Sequence, residues 1–385
     1  MPEGLFEGGP PLALERRLGL IKPGDRRVLL RAFIVALIGW PPLLALTAIR
    51  ETFAHDGSFW YFLHDFGAHA RFLITAPLLV IAEAWCLPRL SRIPLQFLDS
   101  GIIRDSDRDQ LLVEFASTRR FLNSIWVEIL AVLFAYGAVA GLAAMLAVKD
   151  LPKWYIYPGS RHPVYTAAGQ WHVFVSLPLL AVLVLGWMWR HFLWWRLLSR
   201  ISKLNLRLIP GHPDRAGGLR FLSGALRGYW PLSFAFAAIF AGRIANQIQA
   251  GRSLYDSRFL VAGLLAFVLT LFLMPFTAFV PNLFKLKERG AHEYGRLGRA
   301  LGEEFELKWL RERESVTGAA LESQDFSATT DLYSIVSNVY QIAYLPVTFG
   351  AVRELIVVTL VPFLPVALLA VPFDVLITSI GKLFL

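Results

Sequence analysis

Seven runs of apolar residues, each about long enough to cross a bilayer, decide what this chain can fold into. They cover 32–49, 72–90, 121–148, 171–198, 229–247, 259–284 and 355–373. A hydrocarbon core roughly 30 Å thick takes about 20 residues of helix. A soluble fold of this length would not need several separate runs of roughly 20 apolar residues. The sequence predicts an all-α fold, a polytopic transmembrane bundle of about seven spans. The totals agree: 17% of residues are charged and mean hydropathy is +0.51, against about a quarter charged in soluble domains.

The net charge of +9 would suggest nucleic acid in a soluble protein. Here the basic residues lie between the apolar runs, which favours a membrane reading and no nucleic-acid partner. With the N-terminus inside, the inner segments 1–31, 88–120, 190–228 and 285–353 hold 6, 6, 8 and 9 Lys and Arg. The outer segments 50–71, 149–170, 243–258 and the tail hold 2, 3, 3 and 1. Each inner segment exceeds each outer one, as the positive-inside rule requires. The expected organisation is a cytoplasmic segment 1–31, six spans within 32–284, a cytoplasmic helical region 285–353, and a proline-interrupted segment 354–385 that spans or re-enters. Residues 1–27 lack the features of a cleaved signal peptide, so the first run is expected to serve as the insertion signal. Cys86 is the one cysteine, which leaves no intrachain disulfide and no cysteine-based metal site.

The region 287–313 reads as a helix, with Tyr294, Leu297, Leu301, Phe305 and Trp309 at three- and four-residue steps. Gly290, Gly295, Gly298 and Gly302 interrupt it, each at about 1 kcal/mol against Ala. Close packing against another helix accounts for them, which suits packing between subunits of a homo-oligomer. A second helix is expected over 332–345, with 315–330 as a polar connector. In the last run Pro362, Pro365 and Pro372 predict a bend, with Asp374 at an interface.

Ionisable groups inside spans are rare and are either functional or paired. Glu83 and Glu128 lie roughly equally deep from the inner side, at about 10 Å, if each rises 1.5 Å per residue. Arg190 and His191 can reach that layer. The residues fit either an ion or proton pathway or a buried ion pair. The loop 208–221, LIPGHPDRAGGLRF, brings His212, Asp214 and Arg215 within reach of one ligand, or else forms a turn in which Asp214 bonds backbone N–H groups. Arg243, Asn246 and Gln247 line an outer vestibule or snorkel to the interface. His55, His64, His69, His162 and His172 fall in or beside outer loops, but His64 and His69 lack the four-residue spacing of helical metal ligands. No phosphate loop, zincin, nucleophile-elbow or C-x-x-C motif occurs, so no cofactor and no ATP-driven step is expected.

The HPDRAGGL string, the helix around 303–309 and the proline-interrupted tail resemble a bacterial family of inner-membrane proteins without an assigned activity. The resemblance covers about the last 180 residues and implies a bacterial inner membrane. It lends no role to any residue.

The expected function is an oligomeric channel or transporter for a small ion or solute. The channel is preferred because no pair of broken spans in matched halves, the mark of repeat-built carriers, is visible. Two alternatives remain: a membrane-embedded enzyme acting on a lipid-type substrate through His212, Asp214 and Arg215, and a scaffold that binds a cytoplasmic protein through 285–353.

Overall fold

The structure, a computed structural model, describes residues 5–6, 8–10, 27–145, 151–157, 164–311 and 324–370. These residues are helical, with two isolated β-bridges and no strand among them. Five stretches are long and apolar enough to cross a membrane: Val28–Ala54, Phe66–Asp99, Ile125–Met145, Ala167–Ile201 and Leu254–Arg311. A bent pair, Phe349–Leu360 with Phe363–Ala370, makes a sixth if counted as one span. We label α1 Val28–Gly39, α2 Pro41–Ala54, α3 Phe66–Asp99, α4 Arg108–Leu122, α5 Ile125–Met145 and α6 Ala167–Ile201. There follow α7 Trp230–Gln249, α8 Arg258–Leu273, α9 Val280–Glu306, α10 Gln324–Tyr340, α11 Phe349–Leu360 and α12 Phe363–Ala370.

Helix α7, which covers the fifth apolar run, is not among the stretches apolar enough to span. Arg243, Asn246 and Gln247 lower its apolarity, and its position explains why that is tolerated. It packs against α3, α11 and α12 at once, so much of its surface faces protein rather than lipid. Small residues Ala235, Ala237, Ala238, Ala241, Gly242 and Ala245 line its buried side. At Gly242 an added Cβ would stand 2.8 Å from the Phe66 carbonyl oxygen, so only glycine permits this approach. Helix α5 is the opposite case. It leans on α6, and Ala135 and Val139 are its buried residues.

Prolines set the bends. Pro41 and Pro42 follow Trp40 and separate α1 from α2. Without an N–H at Pro42, the Ile38 carbonyl loses its helical donor. Trp171 Nε1 donates to it at 3.1 Å, and Ser176 Oγ donates to Gly39 at 3.0 Å. Both donors come from α6, so the break is built to be met by that neighbour. The expected bend in the last run lies between α11 and α12, at 48°. Pro372 and Asp374 fall outside the described residues.

Helix α9 continues from α8 through the 3-10 stretch Met274–Phe279 and pairs with α10. Its glycines face this partner within the chain. A Cβ on Gly290 would sit 2.5 Å from Pro210 and 2.9 Å from Val339, and one on Gly302 would sit 2.7 Å from the Tyr333 hydroxyl. Helix α10 begins at Gln324 rather than near residue 332, which shortens the connector. Phe326 packs its ring on Phe305 at 5.1 Å and on Trp309 at 4.9 Å, and this contact fixes the early start.

Candidate functional site

Three of the sequence-predicted groups concern Glu83. The carboxylate is 3% exposed and lies between two arginines that are each 1% exposed. Arg31 Nη1 donates to Oε2 at 2.8 Å, and Arg190 Nη2 donates to Oε1 at 3.1 Å. Arg190 Nε also donates to the Gly8 carbonyl at 3.1 Å. Each carboxylate oxygen thus has its own cation, and α1, α3 and α6 are tied at one level. Arg31 had no role in the sequence reading, because it stands at the boundary of the first run. Glu128 is half-buried on α5 and is not among the partners of Glu83, since α5 packs on α6 rather than on α3. His191 points away from the pair. Its Nε2 lies 2.8 Å from the Leu271 carbonyl, and its ring meets Tyr229 and Phe272.

In the loop 208–221 the carboxylate of Asp214 turns inward. Oδ1 accepts from Ala216 N at 2.9 Å and Gly218 N at 3.1 Å, and Oδ2 accepts from Arg220 N at 3.1 Å. His212 Nδ1 lies 2.7 Å from Oδ1. Burial opposes ionisation of Asp214, yet these three N–H groups and His212 hold its carboxyl below the usual carboxylate range. Arg215 has φ +55°, its Nε donates to Asn338 Oδ1 at 3.2 Å, and its carbonyl accepts from Ala343 N at 2.9 Å. His212, Asp214 and Arg215 therefore do not converge on a common space. They fold the loop and seat it beside α10.

A different arrangement stands out in the helices. Spans α3 and α6 each carry a π-helical segment in the same place, and these segments are called their breaks below. Each opens on a side-chain cap: Asp65 accepts from Ala68 N at 2.9 Å, and Thr166 accepts from Gly169 N at 3.0 Å. A short α-helical turn follows, then a π-helical segment, Ala70–Thr75 in α3 and His172–Ser176 in α6. Each π segment ends two residues before a proline, Pro77 and Pro178. The proline ring clashes with the carbonyl four residues back, and widening the turn relieves the clash. At Pro178 that carbonyl belongs to Phe174, and Tyr136 Oη donates to it at 3.0 Å. An offset of 101 residues superposes Asp65 on Thr166, Arg71 on His172, Thr75 on Ser176 and Pro77 on Pro178 in the sequence.

The two breaks meet. Phe72 and His172 are in edge contact with centroids 5.5 Å apart, and Trp154 lies on the same imidazole at 5.2 Å. Around them is a polar layer. Asp65 Oδ1 also accepts from Asn246 Nδ2 at 2.7 Å, and its Oδ2 accepts from Trp154 Nε1 at 2.8 Å. Asp65 Oδ1 thereby accepts two hydrogen bonds and Oδ2 one. His69 Nδ1 accepts from Trp40 Nε1 at 2.8 Å, at the break between α1 and α2. Arg71 and His172 differ from these. Arg71 Nε and His172 Nδ1 are buried atoms without a hydrogen-bond partner, although Arg71 Nη1 would stand 3.4 Å, and Asp65 Oδ1 3.1 Å, from a Cβ on Gly67. Three broken helices and α7 thus surround one layer with polar groups to spare.

The sequence reading placed His69, His172 and Asn246 in outer loops or at an interface and gave Asp65 and Arg71 no role. The signal that marks the layer was the repeated spacing of cap, polar residue and proline. Comparison of the chain with protein-family models, characterised proteins and solved structures finds no match.

Proposed function

We propose that this chain is a multi-pass inner-membrane carrier for a small solute, which it binds where the breaks in α3 and α6 meet. The observation that supports the reading is the matched pair of π-helical segments in α3 and α6, each at the same distance from its cap and its proline. The channel was preferred for want of a pair of broken spans; α3 and α6 are continuous helices, and it is their matched π segments that favour a carrier here. Single π turns inside α-helices are frequent at functional sites, and corresponding irregularities in two halves are the pointer to a carrier's site. Parallel repeats of this kind, each a span, an outer loop and a broken span, rock against one another around a fixed site.

In this reading α7 is an additional, interior span, which gives seven with the bent α11–α12 pair, the N-terminus is cytoplasmic, and α9–α10 is a cytoplasmic hairpin. A bacterial inner membrane follows from the family resemblance and the basic inner loops. The chain forms a homo-oligomer. The glycines of α9 are used within the chain, so the surface for a second copy is on α5. There Gly137 and Gly141 have nothing within 4 Å of an added Cβ, opposite the buried Ala135 and Val139, in the spacing that lets helices approach closely. The hairpin leaves room for a cytoplasmic partner. The enzyme alternative loses its support because Asp214 is occupied with its own loop.

Reconstitution into liposomes tests the proposal. Counterflow of a loaded pool of small metabolites should depend on the protein, and Pro77→Ala and Pro178→Ala should each reduce it. Protein that is folded and correctly oriented but moves no solute would sink the carrier reading.

A further inference from the structure

Within the layer between α3 and α6, one group has hydrogen-bonding capacity that the protein does not use. Arg71 is half-buried, and among the described residues no hydrogen bond or ion pair is made to its guanidinium. A buried guanidinium normally has its donors satisfied, because leaving them dry is costly. Asp65 is the nearby carboxylate and attracts Arg71 through its charge; its Oδ1 accepts from Ala68 and Asn246 and its Oδ2 from Trp154, and neither is hydrogen-bonded to Arg71. Asp65 therefore balances charge across the layer without occupying the fork of Arg71.

The second observation is His172, at the equivalent position of the matching break. It is 3% exposed, and its Nδ1 has no partner. Its ring is held in place by Phe72, Trp154 and Tyr155, with centroids at 5.5, 5.2 and 5.3 Å. Two breaks thus each aim one unpartnered nitrogen-bearing side chain into the same aromatic-walled layer.

We infer that Arg71 and His172 bind a small organic monocarboxylate, the guanidinium gripping its two oxygens and the imidazole meeting it from the opposite break. A guanidinium fork matches the planar pair of carboxylate oxygens and binds them side by side. Phe72, Trp154 and Tyr155, packed around the imidazole, give the layer an apolar side, which favours a ligand with an apolar body. Asp65 sets the charge: one negative charge on Arg71 is tolerated beside it, whereas a dianion such as hydrogen phosphate is repelled. This assignment rests on the carrier reading for its purpose, but it is a statement about binding and can be tested without transport.

The test uses the full chain in lipid nanodiscs, with benzoate and acetate as probes, phosphate and chloride at equal ionic strength as controls, and binding read by calorimetry and thermal shift. Benzoate is expected to bind and to raise Tm, acetate less, and phosphate and chloride not at all. Arg71→Gln should abolish the benzoate shift. Arg71→Lys keeps the charge but not the fork, and should weaken binding about tenfold or more. It serves as the variant if Arg71→Gln does not fold. His172→Phe, which keeps the aromatic contacts, should weaken binding too. Absence of benzoate binding by the parent, equal binding of phosphate, or unaltered affinity in Arg71→Lys would overturn the assignment. Benzoate binding without flux of any solute removes the carrier reading and leaves the site. Flux that ignores Arg71→Lys removes the site and leaves the carrier.

Discussion

Arg190 reaches from α6 to α3 and places its Nη2 3.1 Å from Oε1 of Glu83, while Arg31 takes the other oxygen at 2.8 Å. Two guanidiniums on one carboxylate, all nearly inaccessible, make removal of the carboxylate far more harmful than removal of the whole cluster. Breaking a buried pair leaves charge stranded, at about 3–5 kcal/mol, whereas apolar replacement of all members is often tolerated. Glu83→Gln should therefore lower Tm sharply. Glu83→Leu combined with Arg31→Met and Arg190→Met should recover much of the loss. Thermal denaturation of both variants in the same detergent checks this, and a fully stable Glu83→Gln would show that the cluster is not a lock.

The loop 208–221 has its own pH signature. The folded-state pKa of Asp214 is depressed, so its contribution to stability is present above the unfolded value of about 3.9 and is lost as pH falls through the lower, folded value. Asp214→Ala should cost about 1–3 kcal/mol at neutral pH, because three backbone donors lose their acceptor. The gap between parent and variant should narrow below about pH 3.9. Denaturant titrations at pH 7 and pH 3 measure it, and a gap that does not change with pH would contradict the role given to the carboxylate.

The packing of α9 on its neighbours predicts a contrast between glycines. Gly290→Ala places a methyl against Pro210 and Val339 and should destabilise the hairpin by about 1–3 kcal/mol. Gly263, with nothing within 4 Å, sits in α8, where Ala should be neutral or stabilising by up to about 1 kcal/mol. Hydrogen exchange of α10 should rise in Gly290→Ala alone.

If α5 carries the contact with a second copy, Gly137→Leu and Gly141→Leu should reduce the oligomer while leaving Tm of the monomer unchanged. Native mass spectrometry in mild detergent reads the subunit number. An unaltered oligomer would move the interface elsewhere.

Much of the fold is legible in the sequence because lipid imposes long, continuous apolar helices, and because Pro362 and Pro365 mark a bend through their missing N–H groups; the bend at Pro41 and Pro42, inside the first run, was not foreseen. The pairing of Glu83 with Arg190 follows from comparing depths. Glu128 did not follow, since equal depth says nothing of which helices are neighbours, and α5 leans on α6. The layer around Arg71 was not legible for a different reason. ARFLIT and HVFVS read as ordinary apolar helix, and only the equal distance of each from its following proline, and from its cap, distinguishes them. Likewise α9's glycines required a close partner, but their spacing cannot say whether it is α10 or a second copy.

The central claim, that solute reaches the layer where α3 and α6 break, is tested most directly by the accessibility of Asn246, which touches Asp65 at 2.7 Å. Cys86 is wholly buried and is the one native cysteine, so Asn246→Cys adds one addressable thiol. In intact cells a small, membrane-impermeant thiol reagent applied from outside should label this cysteine, and benzoate should slow the labelling. Labelling unaffected by benzoate, or no labelling while the protein is folded, would contradict the account.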